Sequence, residues 1–272
     1  MQDFPISPCE MLASLWRNRS LVRALVKREV FARYRGSVIG LAWSFLNPLL
    51  MLSVYTFVFS GVFSSRWASA EDSKLDFAII LFVGLIVHGL FAECINRAPA
   101  LVVSNVNYVK KVIFPLEILP WVSLGAALFH MAVSLIVLLL AQVAINQVLP
   151  WTAVFFPLVL LPLVLGIMGL TWFFSALGVY LRDLGQVTAI FTTIMLFMSA
   201  VFFPISALPE RYHIWLHLNP LAVIIQEARK VLVMGQLPDF SLLAAILGLG
   251  ALFAWAGFAW FQRTRRGFAD VL

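Results

Sequence analysis

Charge is scarce in this sequence. Of its 272 residues, 12% are Asp, Glu, Lys or Arg and 62% are hydrophobic, whereas soluble domains carry about 45–50% apolar residues. So little charge excludes an ordinary soluble domain and marks a polytopic membrane protein. Cysteine is nearly absent too. Cys9 and Cys94 fall in segments assigned below to the cytoplasm and show no C-x-x-C or metal-ligand spacing. They read as reduced thiols, which leaves out a disulfide framework and a metal site. The chain has no G-x-x-x-x-G-K-[ST] loop and no G-x-G-x-x-G, so nothing in it cradles ATP or a dinucleotide, and energy for any work must come from elsewhere. The carboxylates form no catalytic pair; Glu93 and Glu117 close their spans and suit caps or ion pairs better than acid–base work. The first twenty residues lack an apolar core preceded by basic residues, so a cleaved signal peptide is not expected there.

What is abundant is long apolar sequence. From Lys27 to Arg35 cations crowd together, and from Ser37 to Phe63 no charged residue occurs, enough chain to cross the ~30 Å hydrocarbon layer as a helix. The same logic assigns an all-α integral membrane protein forming one transmembrane domain. Its six spans are 37–63, 77–94, 116–143, 151–180, 187–203 and 240–261. Residues 1–36 read as an amphipathic interface helix on the cytoplasmic surface, with Leu21, Val22, Leu25 and Val26 as its apolar stripe, interrupted by Glu29 and Arg33. Gly36 and Gly40 are spaced to let a neighbouring helix approach, and Asn47-Pro48 is placed to kink the first span. The loop 96–115 is basic and proline-punctuated, which predicts a short helix between two turns.

Between 204 and 239 prolines and charges leave no apolar piece of the ~17–20 residues a crossing needs. Two short re-entrant helices are expected there. The second has Leu221, Ile224, Ile225, Ala228, Val231 and Leu232 on one face and Gln226, Glu227, Arg229 and Lys230 on the other. The tail, 262–272, is basic again. With both termini in the cytoplasm, about 14 of the cations fall inside and 5 outside, as the positive-inside rule requires. The excess charge of +6 sits in collars beside apolar runs. It points to anionic membrane lipids or an acidic partner and away from nucleic acid.

His88 and His130 lie within the second and third spans. A buried His pair can relay protons, but a neutral imidazole bonded to a neighbouring helix meets the same burial requirement and is the favoured reading. The aromatics Trp43, Tyr55, Phe59, Trp172, Phe173, Phe174, Tyr180, Phe197, Phe202 and Phe203 are candidates to line a path. Flat rings bind the C–H faces of sugars loosely, although Trp and Tyr at span ends also form the ordinary interfacial belt. A wide path without fixed charge suits a large, neutral or amphipathic substrate.

Five stretches in order, KREVFARYRGSVIGLAWSFLNPLLML from Lys27, VSNVNYVKKVIFPLEILP from Val103, VYLRDLGQV from Val179, FFPISALPERYHIWLHLNPLAVIIQEARKVLVMGQLPD from Phe202 and the closing FQRTRRGFADVL, cover much of the chain. Together they resemble the polysaccharide-export permeases of ATP-binding-cassette transporters, and within them the O-antigen subunit. The resemblance implies a channel of two permease copies above two cytosolic ATPases, which bind the ATP and Mg; this chain itself would carry no cofactor and no catalytic residue. It further implies an undecaprenyl-linked polysaccharide as cargo and the bacterial inner membrane as location. Ser104, Asn105, Asn107, Tyr108, Lys110 and Lys111 would form the segment that docks on the ATPase, assisted by Arg28 and Arg33. Trp43, Tyr55, Phe59, Trp172, Phe173, Phe197, Phe202, Phe203, Pro204, Trp215, Asn219 and Pro220 are the channel and gate candidates, and the resemblance implies that the re-entrant pair between Pro204 and Val233 forms the outer gate. Exporters of capsule and of teichoic acid share these motifs. Two other readings differ in class: a proton-coupled secondary transporter using His88 and His130, and a membrane-embedded sugar-transfer enzyme.

Overall fold

A computed structural model describes residues 5–61, 74–109, 114–202 and 218–272. Lys110, Lys111, Phe203, Pro204, Trp215 and the first expected re-entrant helix lie outside the described residues. Among the described residues the regular structure is helical throughout. Five stretches of the described residues are long and apolar enough to cross a membrane: Gly40–Val58, Phe77–Arg97, Leu116–Ile145, Trp151–Tyr180 and Phe240–Val271. The fifth expected span is shorter, a 15-residue apolar helix that rises only about 22 Å.

Two helices precede the first span. In α1 (Pro8–Arg17), Ser7 caps the start by accepting from Glu10 N at 3.1 Å, Pro8 occupies the first turn, and Arg17 bonds back to Glu10 at 2.5 Å. In α2 (Arg19–Arg33) the apolar stripe meets protein. Val22 and Leu25 are buried against Ile118 and Val122, with Leu21 and Val26 packed beside them. The first span is helical from Trp43 to Gly61 (α3), preceded by a short 3-10 turn. It starts later than expected because Gly36 and Gly40 adopt φ of +86° and +58°, a left-handed backbone favoured by glycine. Among the described residues a Cβ added at either would touch nothing within 4 Å, so these glycines shape the turn into the span, and no described helix of this chain packs on them.

Helix α4 (Lys74–Arg97) is the hub, packed against α3 and against four later helices, Leu119–Asn146, Phe156–Tyr180, Leu184–Met198 and Pro220–Arg229. The loop after it forms two short helices, α5 (Ala100–Val103) and α6 (Val106–Val109), where a single one was expected. The turn at Ser104-Asn105 divides them: Asn105 donates through its side chain to Leu101 O at 2.9 Å, a local bond that competes with helix continuation. Next come α7 (Leu119–Asn146) and α8 (Phe156–Tyr180), then α9 (Leu184–Met198). After the described residues resume, α10 (Pro220–Arg229) runs into a π turn, Lys230–Met234. The chain ends in α11 (Phe240–Thr264) and the short α12 (Phe268–Val271).

The tightest joint is between α8 and α11. A Cβ on Gly257 would lie 2.1 Å from Gly169 O, and one on Gly169 would lie 2.5 Å from Phe253 O. Only glycine permits this backbone approach, which gathers the weak dispersion forces that hold helices together where lipid competes for apolar surface. Trp172, fully buried, fills the adjoining space between Trp121 and Phe258, with ring centroids 5.6 and 5.2 Å away.

Candidate functional site

Clefts open where the helices do not meet so closely. One of about 610 Å3 lies between α2, α4 and α7, with Arg33, Glu93, Arg97 and His130 in its wall. A second, of about 400 Å3, lies between α3, α4 and α7 and carries Ser44, Asn47, Tyr55, His88 and Ser134 among apolar residues. Arg33, Glu93 and His130 line both, so the clefts adjoin at this cluster.

The cluster is assembled from two i,i+4 Glu–Arg pairs. On α2 Glu29 precedes Arg33, and on α4 Glu93 precedes Arg97; the helices cross so that Arg97 pairs with Glu29 while Arg33 Nη1 reaches Glu93 Oε1 at 2.6 Å. His130 Nδ1 lies 3.0 Å from Glu93 Oε1 and 2.9 Å from Arg33 Nη1. That nitrogen can donate to the carboxylate or accept from the guanidinium, one at a time. Its other ring nitrogen, Nε2, is buried with no partner among the described residues. Two Arg and two Glu cancel, so the wall offers many hydrogen-bonding groups and little net charge. Such a surface accommodates hydroxyl-rich molecules without holding one sign of ion. His88 hydrogen-bonds through Nε2 to Thr192 O on α9 at 3.0 Å, and Thr192 Oγ1 donates to Asn96 Oδ1 at 3.0 Å. Each histidine is thus tied to a neighbouring helix.

At the end of the bundle that carries both chain termini, a second group of side chains meets. Glu117, 7% exposed, accepts from Ser14 Oγ on α1 at 2.9 Å and from Arg265 Nη1 at 2.5 Å, while its carbonyl accepts from Trp172 Nε1 at 3.1 Å. The expected ion-pair role of Glu117 is present, with a partner 148 residues away in sequence. Arg265 Nη2 also donates to Phe114 O at 2.9 Å. The Phe114 ring stacks on Tyr108 of α6 at 4.2 Å, and Arg28 of α2 donates to Tyr108 Oη at 2.9 Å.

At the far end, α10 is buried nearly all round. Arg229, 3% exposed, donates to three carbonyls, Ile80 O at 3.1 Å, Ala200 O at 3.0 Å and Val201 O at 2.7 Å. Glu227, 2% exposed, accepts from Lys230 at 2.6 Å and from Asp239 N at 2.9 Å. On the polar face of this helix Glu227 and Arg229 point inward, because the protein supplies partners that water would otherwise supply. The same contacts explain why α9 stops at Met198, short of the expected Phe203. Ala200 turns to φ +51°, and carbonyls at and beyond the helix end are taken by Arg229 and by Asn219 Nδ2, 3.1 Å from Met198 O. Asn219 also caps α10 by accepting from Leu221 N at 3.0 Å, with Pro220 in the first turn.

Of the residues expected to dock on a partner, Arg28 and Tyr108 are in contact, Ser104 and Asn107 are exposed, and Asn105 holds the turn between α5 and α6. Arg33 is turned to Glu93 and His130 and does not join them, since the α2–α4 crossing sets an acid opposite it. Among the expected channel residues Tyr55 lines the inner cleft. Trp172 is a correction: its indole is fully buried and bonded to Glu117 O, so it faces no path. Phe173 packs half-buried against Trp260 at 5.7 Å, Trp43 is exposed at the start of α3, and Phe59 lies on α3. Phe197 is exposed on α9, 5.5 Å from Phe202. Glu29, Asn96 and Arg97 were not marked as site residues. The available signal was the interruption of the α2 stripe at Glu29 and Arg33, four apart, matched by Glu93 and Arg97 on α4.

The sequence profile of the family described as ABC-2 type transporter matches residues 20–233. An O-antigen export system permease protein of Myxococcus xanthus is 29% identical over 264 residues, covering 96% of this chain and 99% of that protein. One from Klebsiella pneumoniae is 24% identical over 254 residues, 93% of this chain and 95% of that protein. A polysialic acid transport protein of Escherichia coli is 23% identical over 249 residues, 84% of this chain and 90% of that protein.

Proposed function

The chain belongs to the ABC-2 type transporter family, and from that premise we propose that it is the permease subunit of an exporter that moves a lipid-linked polysaccharide, O-antigen, out of the cytoplasm. Two copies form the channel, and a separate pair of ATPases binds ATP and Mg and supplies the energy. This chain contributes no catalytic residue and no cofactor. It resides in the bacterial inner membrane with six crossings, and both termini are cytoplasmic. The observation that carries the reading is the end-to-end match to an O-antigen permease, 96% of this chain against 99% of that one.

The geometry supports it in three places. The adjoining clefts, neutral overall and lined by hydroxyl, amide and aromatic groups, suit an uncharged sugar chain entering from the terminus-bearing end. The exposed turn at Ser104 to Tyr108, steadied by Arg28, is the segment that meets the ATPase. At the other end α10, too short to cross, caps the outer side.

The test is translocation of lipid-linked polymer in vesicles holding this chain alone, a candidate ATPase alone, or both. The expected result is ATP-dependent export with the pair only. Export by this chain without nucleotide, driven by a pH gradient, would replace the reading with a proton-coupled transporter using His88 and His130. Turnover of a lipid-linked sugar without ATP would replace it with a sugar-transfer enzyme. Stimulation by a capsular polymer or teichoic acid in place of O-antigen would change the cargo and leave the permease role intact.

A further inference from the structure

The permease reading leaves the carboxyl-terminal tail without a task, yet the tail is among the most firmly seated parts of the chain. Phe268 is fully buried, with its ring centroid 5.5 Å from Phe261 and 6.2 Å from Tyr180. Tyr180 Oη donates to Thr264 O at 3.1 Å, and a Cβ on Gly267 would lie 2.6 Å from that hydroxyl oxygen. This seating fixes Arg265 so that one guanidinium nitrogen meets Glu117 Oε2 at 2.5 Å and another meets Phe114 O at 2.9 Å.

Those two bonds connect elements far apart in sequence. Through Glu117 the tail reaches Ser14 of α1, and through Phe114 it reaches the ring on which Tyr108 stacks, nearly parallel at 10°. Arg28 of α2 holds Tyr108 from its other end, through the phenol oxygen. Tyr108 is therefore gripped on its ring by a residue the tail anchors and on its hydroxyl by the interface helix. Two planar groups fastened from separate elements leave the α6 segment little freedom to rotate against the bundle.

We propose that Arg265 is a positioning residue for energy coupling: by bridging Glu117 and the Phe114 carbonyl, the carboxyl-terminal tail sets the docking position of the Tyr108 segment toward the ATPase. This rests on the permease reading. A forked guanidinium is needed because a single Lys nitrogen cannot reproduce two divergent bonds in one plane. Side-chain carboxylate and backbone carbonyl are the two acceptor types that such a fork serves at once.

The experiment uses the full-length chain reconstituted in vesicles with its ATPase. It measures the ATPase concentration that half-saturates stimulated hydrolysis, and separately the melting of the permease without the ATPase. The wild-type pair comes first: absence of any stimulation would overturn the permease reading itself. Given stimulation, Arg265→Lys is expected to melt near the wild type, since it keeps a charge beside Glu117, yet to need about tenfold more ATPase, the factor that corresponds to losing one hydrogen bond to a charged group. Tyr108→Ala is expected to lose a similar factor. The double variant should lose no more than the worse single one, because both changes act on the same joint. Wild-type ATPase affinity in Arg265→Lys, or losses that multiply in the double variant, would overturn the inference and leave the permease reading standing. If Arg265→Lys does not fold, Phe114→Ala replaces it: it removes the ring and spares the carbonyl and the ion pair. It is expected to match Tyr108→Ala without adding to it, and unchanged affinity in that variant overturns the inference equally.

Discussion

Where α8 meets α11, glycines at 169 and 257 let backbone lie against backbone, so that even a methyl group would come within 2.1 Å of a carbonyl oxygen. Where α4 meets α2, α3 and α7, side chains hold the helices apart, and clefts of about 610 and 400 Å3 remain, lined by ion pairs and amides. The first region gains from closeness and has nothing adjustable in it. The second is joined by groups with more than one partner in reach, as His130 Nδ1 between Glu93 and Arg33 illustrates. One side is a spine of backbone contacts and the other a polar seam of side-chain contacts.

Breaking the spine should have the largest effect. Gly257→Leu forces α8 and α11 apart and is expected to destabilise by about 3 kcal/mol or more, the upper range for overpacking. Loss of the folded peak in detergent size exclusion and a lowered melting temperature would show it. At the far end, Arg229→Met leaves three carbonyls without their donor and is expected to cost about 2–3 kcal/mol. Protease sensitivity appearing first near the α9–α10 junction would locate the damage.

Changes in the seam should spare stability and cost transport. Glu93→Gln removes the charge that gathers Arg33 and His130, and since Arg33 is half exposed, about 1 kcal/mol or less of stability is at stake. Export should fall several-fold while melting barely moves; equal losses of both would show that the seam is structural like the spine. Tyr55→Ala, in the inner cleft, is expected to slow polymer export at unchanged ATPase affinity. The smallest effect belongs to Trp43→Ala, an exposed aromatic, with stability within about 0.5 kcal/mol of the wild type. Export measured beside Tyr55→Ala would separate an interfacial ring from one that lines the path.

Much of the fold was legible because a membrane helix announces itself by the length of an apolar run. The five long stretches coincide closely with runs visible in the sequence, and Asn219-Pro220 and Asp239 stand where helix starts are expected. The shorter α9 misled at its end because Phe203-Pro204 is the obvious local stop, whereas Asn219 and Arg229, later in the chain, end the helix sooner by taking carbonyls around its terminus. The site was legible in its residue types more than in its grouping. Glu93, His130 and Glu117 stood out as polar groups in apolar surroundings, but Arg33 was assigned to a docking surface and Trp172 to a path. Neither contact is legible locally, since both residues are directed by helices that cross them.

By itself the sequence determined that this is a helical membrane protein, where its long apolar helices lie, and to which family it belongs. These follow from hydrophobic run length and ordered motifs, properties of neighbouring residues along the chain. Only the tertiary structure decided which charges face one another: Arg33 with Glu93, Glu29 with Arg97, and Glu117 with Arg265 across 148 positions. In a medium that supplies few hydrogen bonds, a buried charge takes whatever partner the packing of distant helices brings to it, and no spacing within its own helix records that partner.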